Sequence, residues 1–473
     1  MNYKAILFYL GIYSLLVSLF SILNILYTIY FDYIIDLNSY IATFLISLIL
    51  GFIFYLIGKN NSKGISLNDQ IIFITINFFY LPLLISIPYF SSIYNLSFLN
   101  SYFESISGFT TTGFTILRDI KNIDEPLLLW RSSSQWLGGL FFLLSTIGTL
   151  GSKQLRIKPA YFISGGASGR NFYNNFNYNF IKISLIYFFS TILIIFIYKS
   201  LNIRLLDSFN LAFTVISSGG FIPNESLSNI IVNKTQILAL SVTMMLPILN
   251  FFLLFDIFTK KFNYKNHNED IHLFSIVMIL IILLYFFIIP NEGIANVFLA
   301  VVSSLSTSGL SLYSSSFDLS LFFILMTIIG GSLISTSSGF KYIRFYILLK
   351  ISYQEIYRLV KPINIIDKNI FNTDSKIDDQ DVKIAFLVFI SFIISIFILS
   401  GILTFDYLSF ESSFKLSILT LTNTLASSLY GFDAISFFDL ENYTKISLII
   451  FMILGKIEII AVIYLIKRFI FRE

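Results

Sequence analysis

Four short segments of the chain carry residue types that could bind a cation, and they share one order. They read SISGFTTTGF around Gly113, FTVISSGGF around Gly220, SSLSTSGL around Gly309 and TLASSLYGF around Gly431. Each has a stretch of mixed apolar and polar residues, then small or hydroxyl residues, then glycine, then a bulky apolar residue. An extended loop of this kind needs dihedrals closed to residues with a Cβ, and glycine also keeps a side chain out of the space it borders. Four such loops meeting on one axis would present rings of main-chain carbonyls, which can replace the hydration shell of a large monovalent cation. The candidate coordinating positions, mainly through their carbonyls, are Thr111, Thr112 and Gly113; Ser218, Gly219 and Gly220; Thr307, Ser308 and Gly309; and Leu429, Tyr430 and Gly431. The hydroxyls of Thr110, Thr111, Thr112, Ser218, Thr307 and Ser308 are expected to hold the loops. A single copy is better explained by close helix packing through small residues; four copies in matching positions are not.

The elements that position these loops follow from composition. Hydrophobic residues make up 56% of 473 positions and charged residues 12%, where a soluble domain carries about a quarter charged residues. Full-length apolar spans are expected near 5–31, 38–58, 69–93, 125–150, 179–200, 235–259, 271–290, 319–349, 382–403 and 444–470. The stretches 98–114, 206–221, 294–310 and 410–432 are too short or too polar to cross a bilayer, which takes about 20 residues per helix, so each is read as dipping in and out from one face. Lys59 and Lys63, then Lys153, Arg156, Lys158 and Arg170, then Lys260, Lys261 and Lys265 fall in alternate loops. Lys350, Arg358 and Lys361, and finally Lys467, Arg468 and Arg472, continue that series, whereas Asp32, Asp36, Asp433, Asp439 and Glu441 lie on the other side. The positive-inside rule then puts both termini in the cytoplasm. The fold expected is an all-α polytopic membrane protein: a two-helix N-terminal domain (1–66) and four pseudo-symmetric span, half-helix, loop, span repeats (67–160, 161–265, 266–361 and 362–473) around one central pore.

Other residues are weighed in that frame. Gly330, Gly331, Ser332, Ser335, Thr336, Ser337, Ser338 and Gly339 are poor helix formers at this density, so the eighth span is expected to break there, a packed small-residue face being the alternative. Lys341 and Arg344 mark its cytoplasmic exit as anchors, compatibly with a part in gating. Lys456 is an ionisable residue at mid-span and therefore a functional candidate, with Glu458 as a neutralising neighbour. Glu104, Glu292 and Glu411 either cap half-helices or form a cation-attracting vestibule; Asp256 is expected at the interface. His267 and His272 are read as a solvated loop rather than a metal pair. Residues 351–383 read as a polar connector and 171–180 as a loop, and SGGASG at 164–169 lacks the Lys-Ser/Thr of a phosphate loop. Zero cysteines exclude disulfides and thiolate chemistry. Paired acids in a large outer loop, or nucleophiles at membrane depth, would mark an enzyme, and neither is present. A net charge of +4 gives nucleic-acid binding no support. A coupled secondary transporter, with inverted repeats, is the nearer rival.

The combination resembles the Trk/Ktr/HKT superfamily of potassium transporters, and within it the TrkH-like membrane subunits. FESISGFTTTGFTIL (103–117) is similar to that family's first pore helix and filter, RSSSQWLGGL (131–140) to the opening of the following span, IGGSLISTSSGFKYIR (329–344) to the third repeat's interrupted helix, and LGKIE (454–458) to the last span. The resemblance implies potassium uptake with imperfect preference over sodium, potassium held at the loop residues, and a gating loop at 330–339. It implies a cell (inner) membrane location and no cofactor bound by this chain. It also implies a homodimer working with a cytoplasmic, TrkA-like nucleotide-binding ring. Two departures stand out: the family's last-span Arg is Lys456 here, which keeps the cation and loses the bidentate fork, and SSLYGF replaces an Asn-rich, Gly-Pro-Gly-like fourth loop.

Overall fold

The computed structural model describes residues 2–33, 36–59, 67–92, 94–150, 176–258, 267–288, 293–312, 319–360, 369, 377–406, 408–432 and 435–457. Nearly all of the ordered backbone in them is helical. Helices α1 (Tyr3–Tyr30) and α2 (Leu37–Gly58) form an antiparallel hairpin. Its helices cross where a Cβ on Gly11 would stand 2.6 Å from Tyr55 N, the close approach that small residues permit in lipid. The lipid-facing side is a broad apolar surface that includes Leu26, Ile29, Phe52 and Leu56.

Four units follow. The first has α3 (Leu67–Ile85) and the short α4 (Ile87–Ser91), the half-helix α5 (Phe98–Phe109) and α6 (Glu125–Leu150). The second has α7 (Phe176–Ser200), half-helix α8 (Leu205–Ile216), α9 (Lys234–Thr243) and α10 (Phe251–Phe258). The third has α11 (Asn268–Leu283), half-helix α12 (Ile294–Leu305), α13 (Ser320–Ile329) and α14 (Tyr342–Val360). The fourth has α15 (Asp379–Thr404), half-helix α16 (Phe410–Leu421) and α17 (Asn442–Ile457). Each half-helix is 12 residues long, about 18 Å at 1.5 Å per residue, and so too short to cross.

The units close into a ring. The helix after each loop packs on the half-helix of the next unit: α6 on α8, α9 on α12, α13 on α16, and α17 back on α5. Loops 1 and 3 are therefore diagonal to each other, as are loops 2 and 4.

Six helices among the described residues are long and apolar enough to cross a membrane. Among the described residues, two of the ten expected spans are interrupted by a non-helical stretch of several residues. The break within 320–349 was expected. The one within 235–259 was not: α9 ends at Thr243 and helix resumes at Phe251, with Pro247 between, which lacks an N–H for the ladder. The stretch 351–360, expected as connector, continues α14, and α7 begins at Phe176 inside the expected loop. SGGASG lies outside the described residues.

Candidate functional site

Each half-helix ends in the same loop geometry. The third residue past the helix donates its N–H to the carbonyl two residues before the helix end: Thr112 to Ser107 at 2.9 Å, Gly219 to Thr214 at 2.8 Å, Ser308 to Ser303 at 3.1 Å and Thr424 to Leu419 at 2.8 Å. The second residue has positive φ in all four: Thr111 at 59°, Ser218 at 57°, Thr307 at 59° and Asn423 at 50°. Such φ is uncommon outside glycine, and four occurrences at one position mark one repeated design. Hydroxyls at the first and third positions bond to each other in three loops, Thr110 with Thr112 at 2.8 Å, Ser306 with Ser308 at 3.2 Å and Thr422 with Thr424 at 2.9 Å.

This register corrects the fourth loop. Residues 422–425, not 429–431, occupy the place of 110–113, 217–220 and 306–309. Gly431 sits past a short 3₁₀ turn, where a Cβ would meet Lys415 Nζ and Ser320 at 3.3 Å. Leu429 and Tyr430 are buried, and Tyr430 donates toward Ser304 Oγ at 3.5 Å. These three residues are not brought to the other loops. The signal that identifies the fourth loop was present in the sequence: hydroxyl-x-hydroxyl, as in TTT, STS and TNT, directly after a half-helix.

The loops touch one another. A Cβ on Gly113 would stand 2.9 Å from Gly220 Cα, and one on Gly309 2.6 Å from the Leu425 carbonyl. Asn423 Nδ2 donates to Thr112 Oγ1 at 3.0 Å and to the Met452 carbonyl at 2.8 Å. The helices behind make room with glycine. A Cβ on Gly138 would fall 1.8 Å from the Phe109 carbonyl and one on Gly455 2.2 Å from the Leu421 carbonyl. LGG and LGK thus do the same work in the first and fourth units, each seating a helix against the end of a half-helix.

Loop 1 is further fixed by a buried ion pair. Arg131 Nε donates to Glu104 Oε1 at 2.9 Å, with side chains 1% and 0% exposed. Glu104 also accepts from Thr115 Oγ1 at 3.0 Å and Ile116 N at 2.8 Å, while the guanidinium stacks over Phe221 of loop 2. Glu104 is therefore neither a helix cap nor part of an open vestibule: it ties down the chain leaving loop 1. In loop 2, Gln135 Oε1 accepts from Thr214 Oγ1 at 3.1 Å and from Phe221 N at 3.3 Å. Glu411 is exposed and pairs with Lys415 on its own helix at 2.7 Å; Glu292 and Glu458 lie outside the described residues.

Against the ring lies the non-helical segment 330–341. Gly330 (φ 66°) and Gly339 (φ 83°) open and close it, and Gly331, Ser332 and Ser335 to Ser338 are all buried in it. Ser218 Oγ donates to the Thr336 carbonyl at 2.9 Å, Thr336 Oγ1 to the Ile216 carbonyl at 3.0 Å, and Ser338 N to Thr307 Oγ1 at 3.0 Å. Lys456, 1% exposed, donates to Thr111 Oγ1 at 2.6 Å, Ser338 Oγ at 2.9 Å and the Thr336 carbonyl at 3.4 Å. Its ammonium lies 4.5 Å from the Phe142 ring centroid. One lysine thus joins loop 1 to the 330–341 segment.

Lys341 and Arg344 do not act as exposed anchors; both are buried. Lys341 (φ 78°) folds back to donate to the carbonyls of Ser337 at 2.5 Å and Ser335 at 3.3 Å. The broken span of the second unit supplies the remaining support. Ser332 N donates to the Ile248 carbonyl at 2.9 Å, Ser337 N to the Pro247 carbonyl at 3.2 Å, and Phe251 N to the Ile334 carbonyl at 2.8 Å. Unwound backbone at this depth needs partners within the protein, and the two breaks satisfy each other. Neither 244–250 nor the acids at the start of α11 were singled out from the sequence. Glu269 accepts from Leu333 N at 3.0 Å and Asp270 from Asn250 N at 2.7 Å.

His267 is buried between Asp256 (3.1 Å) and Asp270 (3.6 Å), which corrects the solvated-loop expectation; Asp256 is itself buried. Burial lowers the imidazole pKa, but hydrogen bonds and charge from Asp270 and Asp256 outweigh it, and the net shift is upward. His272 is elsewhere, hydrogen-bonded to Tyr342. Among the described residues no group of three His, Asp or Glu is placed to hold a metal ion.

No family model matches the sequence. Among relatives, an uncharacterised cation transporter of Methanocaldococcus jannaschii is 25% identical, over 99% of this chain and 96% of its own length. The Trk system potassium uptake protein TrkG of Escherichia coli is 26% identical over 89% and 90%, and TrkH of Halomonas elongata 24% over 98% of both. The crystal structure of the potassium transporter TrkH from Vibrio parahaemolyticus superposes with a TM-score of 0.79, at 21% identity, over 98% of both chains. The chain is TrkH-like in sequence and in fold. These relatives are transport proteins, which sets the enzyme reading aside. In this TrkH-like chain the all-α, multi-pass architecture and the family motifs coincide: FTTTG forms loop 1, QWLGG seats α6 on α5, and LGK brings both Gly455 and Lys456 to the ring.

Proposed function

We propose that this chain takes up potassium by channel-like conduction along the axis of the four loops, under the control of the 330–341 segment. The observation that carries the reading is the shared main-chain register of the loops, with three glycines at one level and the 330–341 segment bonded directly to loops 2 and 3 and through Lys456 to loop 1. Carbonyls from Thr111 to Gly113, Ser218 to Gly220, Thr307 to Gly309 and, in the corrected register, Asn423 to Leu425 are the proposed potassium ligands. The half-helices point their carbonyl ends toward the ring, which favours a cation. The curated names of the relatives, potassium uptake proteins, support the same ion.

In the closed state so proposed, Lys456 holds the segment under loop 1, and opening withdraws Ser338 and Thr336 from it. Single-residue glycine levels make a short filter, so preference for potassium over sodium is expected to be imperfect. The chain is proposed to be divided as one N-terminal hairpin and four repeats, to lie in the cell (inner) membrane with both termini cytoplasmic, and to work as a homodimer. Nucleotide control would come from a separate cytoplasmic ring.

The test is rubidium or potassium flux into proteoliposomes with sodium competing, wild type against Gly113→Ser. At φ 86° and with Gly220 beside it, a serine at 113 is strained as well as crowded. Potassium-preferring flux in wild type, with the preference lost in the variant, is the expected result. Wild type moving neither ion, even with a nucleotide-binding partner added, would turn the case toward coupled transport.

A further inference from the structure

The fourth loop has no glycine at the level of the other three. Its fourth position past the half-helix is Leu425, and the surroundings are built to admit it. A Cβ on Gly220 would stand 2.5 Å from Leu425 Cβ, and one on Gly309 2.9 Å from the same atom. Loop 2 is diagonal to loop 4 in the closed order of helices, so the leucine reaches the loop across the ring as well as its neighbour. Backbone geometry explains why a side chain is tolerated here. Gly113 and Gly309 have φ of 86° and 70°, whereas neither Gly220 nor Leu425 has positive φ. The ring alternates: at two opposite positions glycine is required by conformation, at Gly220 by the room that Leu425 takes, and at 425 by nothing. Leu425 is also only half-buried, unlike Thr422, Asn423 and Thr424.

We infer that Leu425 is a second, apolar barrier in the conduction path, at the level of the glycines and separate from the 330–341 segment. This rests on the conduction reading above. An apolar group reaching across a narrow ring offers no oxygen to an ion shedding water, and apolar constrictions oppose ion entry by dewetting. The residue therefore limits rate at the level of the glycines, apart from Lys456, which bonds to Thr111 of loop 1 and to the 330–341 segment. A ring whose leucine only filled space would behave differently, because removing the side chain would slacken the loops and lower flux.

The deciding experiment is rubidium uptake into proteoliposomes by the full chain carrying Leu425→Gly, alone and combined with Lys456→Met. Expected are a several-fold rise for Leu425→Gly over wild type, and a further several-fold rise when Lys456→Met is added, since the barriers are separate. Gly220→Ala is expected to abolish uptake and Leu425→Gly to restore part of it, while Gly309→Ala, strained by its own φ, is not restored. Uptake by monodisperse Leu425→Gly at or below wild type overturns the inference. Should Leu425→Gly not fold, Leu425→Ala decides by the same criterion. If wild type conducts no ion at all, the conduction reading falls and this one with it; if wild type conducts and the variant gains nothing, only this one falls.

Discussion

The first three loops and the 330–341 segment are made of the same residues, glycine with serine and threonine, yet the loops and the segment are held in different ways. Each loop is folded onto its own half-helix by main-chain bonds within about six residues, such as Thr112 N to the Ser107 carbonyl. The segment borrows its partners from elsewhere: Ser218, Thr307, Lys456, Ile248, Pro247 and Glu269 lie in five other helices or loops. Local bonds survive whatever the neighbours do, whereas borrowed ones are lost together when neighbours shift. The comparison separates a part suited to stay fixed from a part suited to move.

Several substitutions would sharpen or break that contrast. Arg131→Ala leaves Glu104 charged and buried beside loop 1, a loss of about 3–5 kcal/mol for a broken buried pair, and thermal unfolding of the purified protein should show a large drop. An unchanged melting temperature would mean loop 1 does not depend on this pair. Lys456→Met removes bonds worth roughly 1.5–3 kcal/mol each for a charged donor from the movable part only. Ion flux should rise about tenfold while the folded protein stays intact. Glu269→Ala unpartners Leu333 N and should raise flux by a smaller, few-fold factor; loss of flux instead would assign Glu269 to the loops' support.

The smallest effect concerns pH. The folded-state pKa of His267 is raised above its ordinary 6.5, so its contribution is full below that value and is lost as pH rises through the raised one. It is of the order of one hydrogen bond, about 1 kcal/mol. Wild type should therefore lose a little thermal stability as pH climbs from acid through neutral, and His267→Gln should flatten that dependence. A dependence of the opposite sign would show that His267 is neutral in the folded protein.

Much of this was legible in the sequence because membrane proteins write their architecture in hydropathy. The short stretches at 98–114, 206–221, 294–310 and 410–432, the break among the small residues after Ile329 and the candidacy of Lys456 all follow from length, small-residue density and charge at depth. The fourth loop misleads because Gly431 has the sequence look of the other three loop glycines but not their place. Gly431 supplies a left-handed residue after a turn, a second use of the same freedom. The break at 244–250 was masked by an apolar composition that reads as a span.

What the sequence determined by itself is the set of elements, since burying apolar surface in lipid and satisfying backbone polar groups leave few alternatives to helices. Only the tertiary structure decided which elements meet. Lys456 and Thr111 are 345 positions apart, and Glu269 reaches Leu333 across 64. Such pairings depend on the order in which helices close the ring, which no local pattern encodes. The same holds for Leu425: its type is plain in the sequence, but its place opposite Gly220 exists only once loops 2 and 4 face each other.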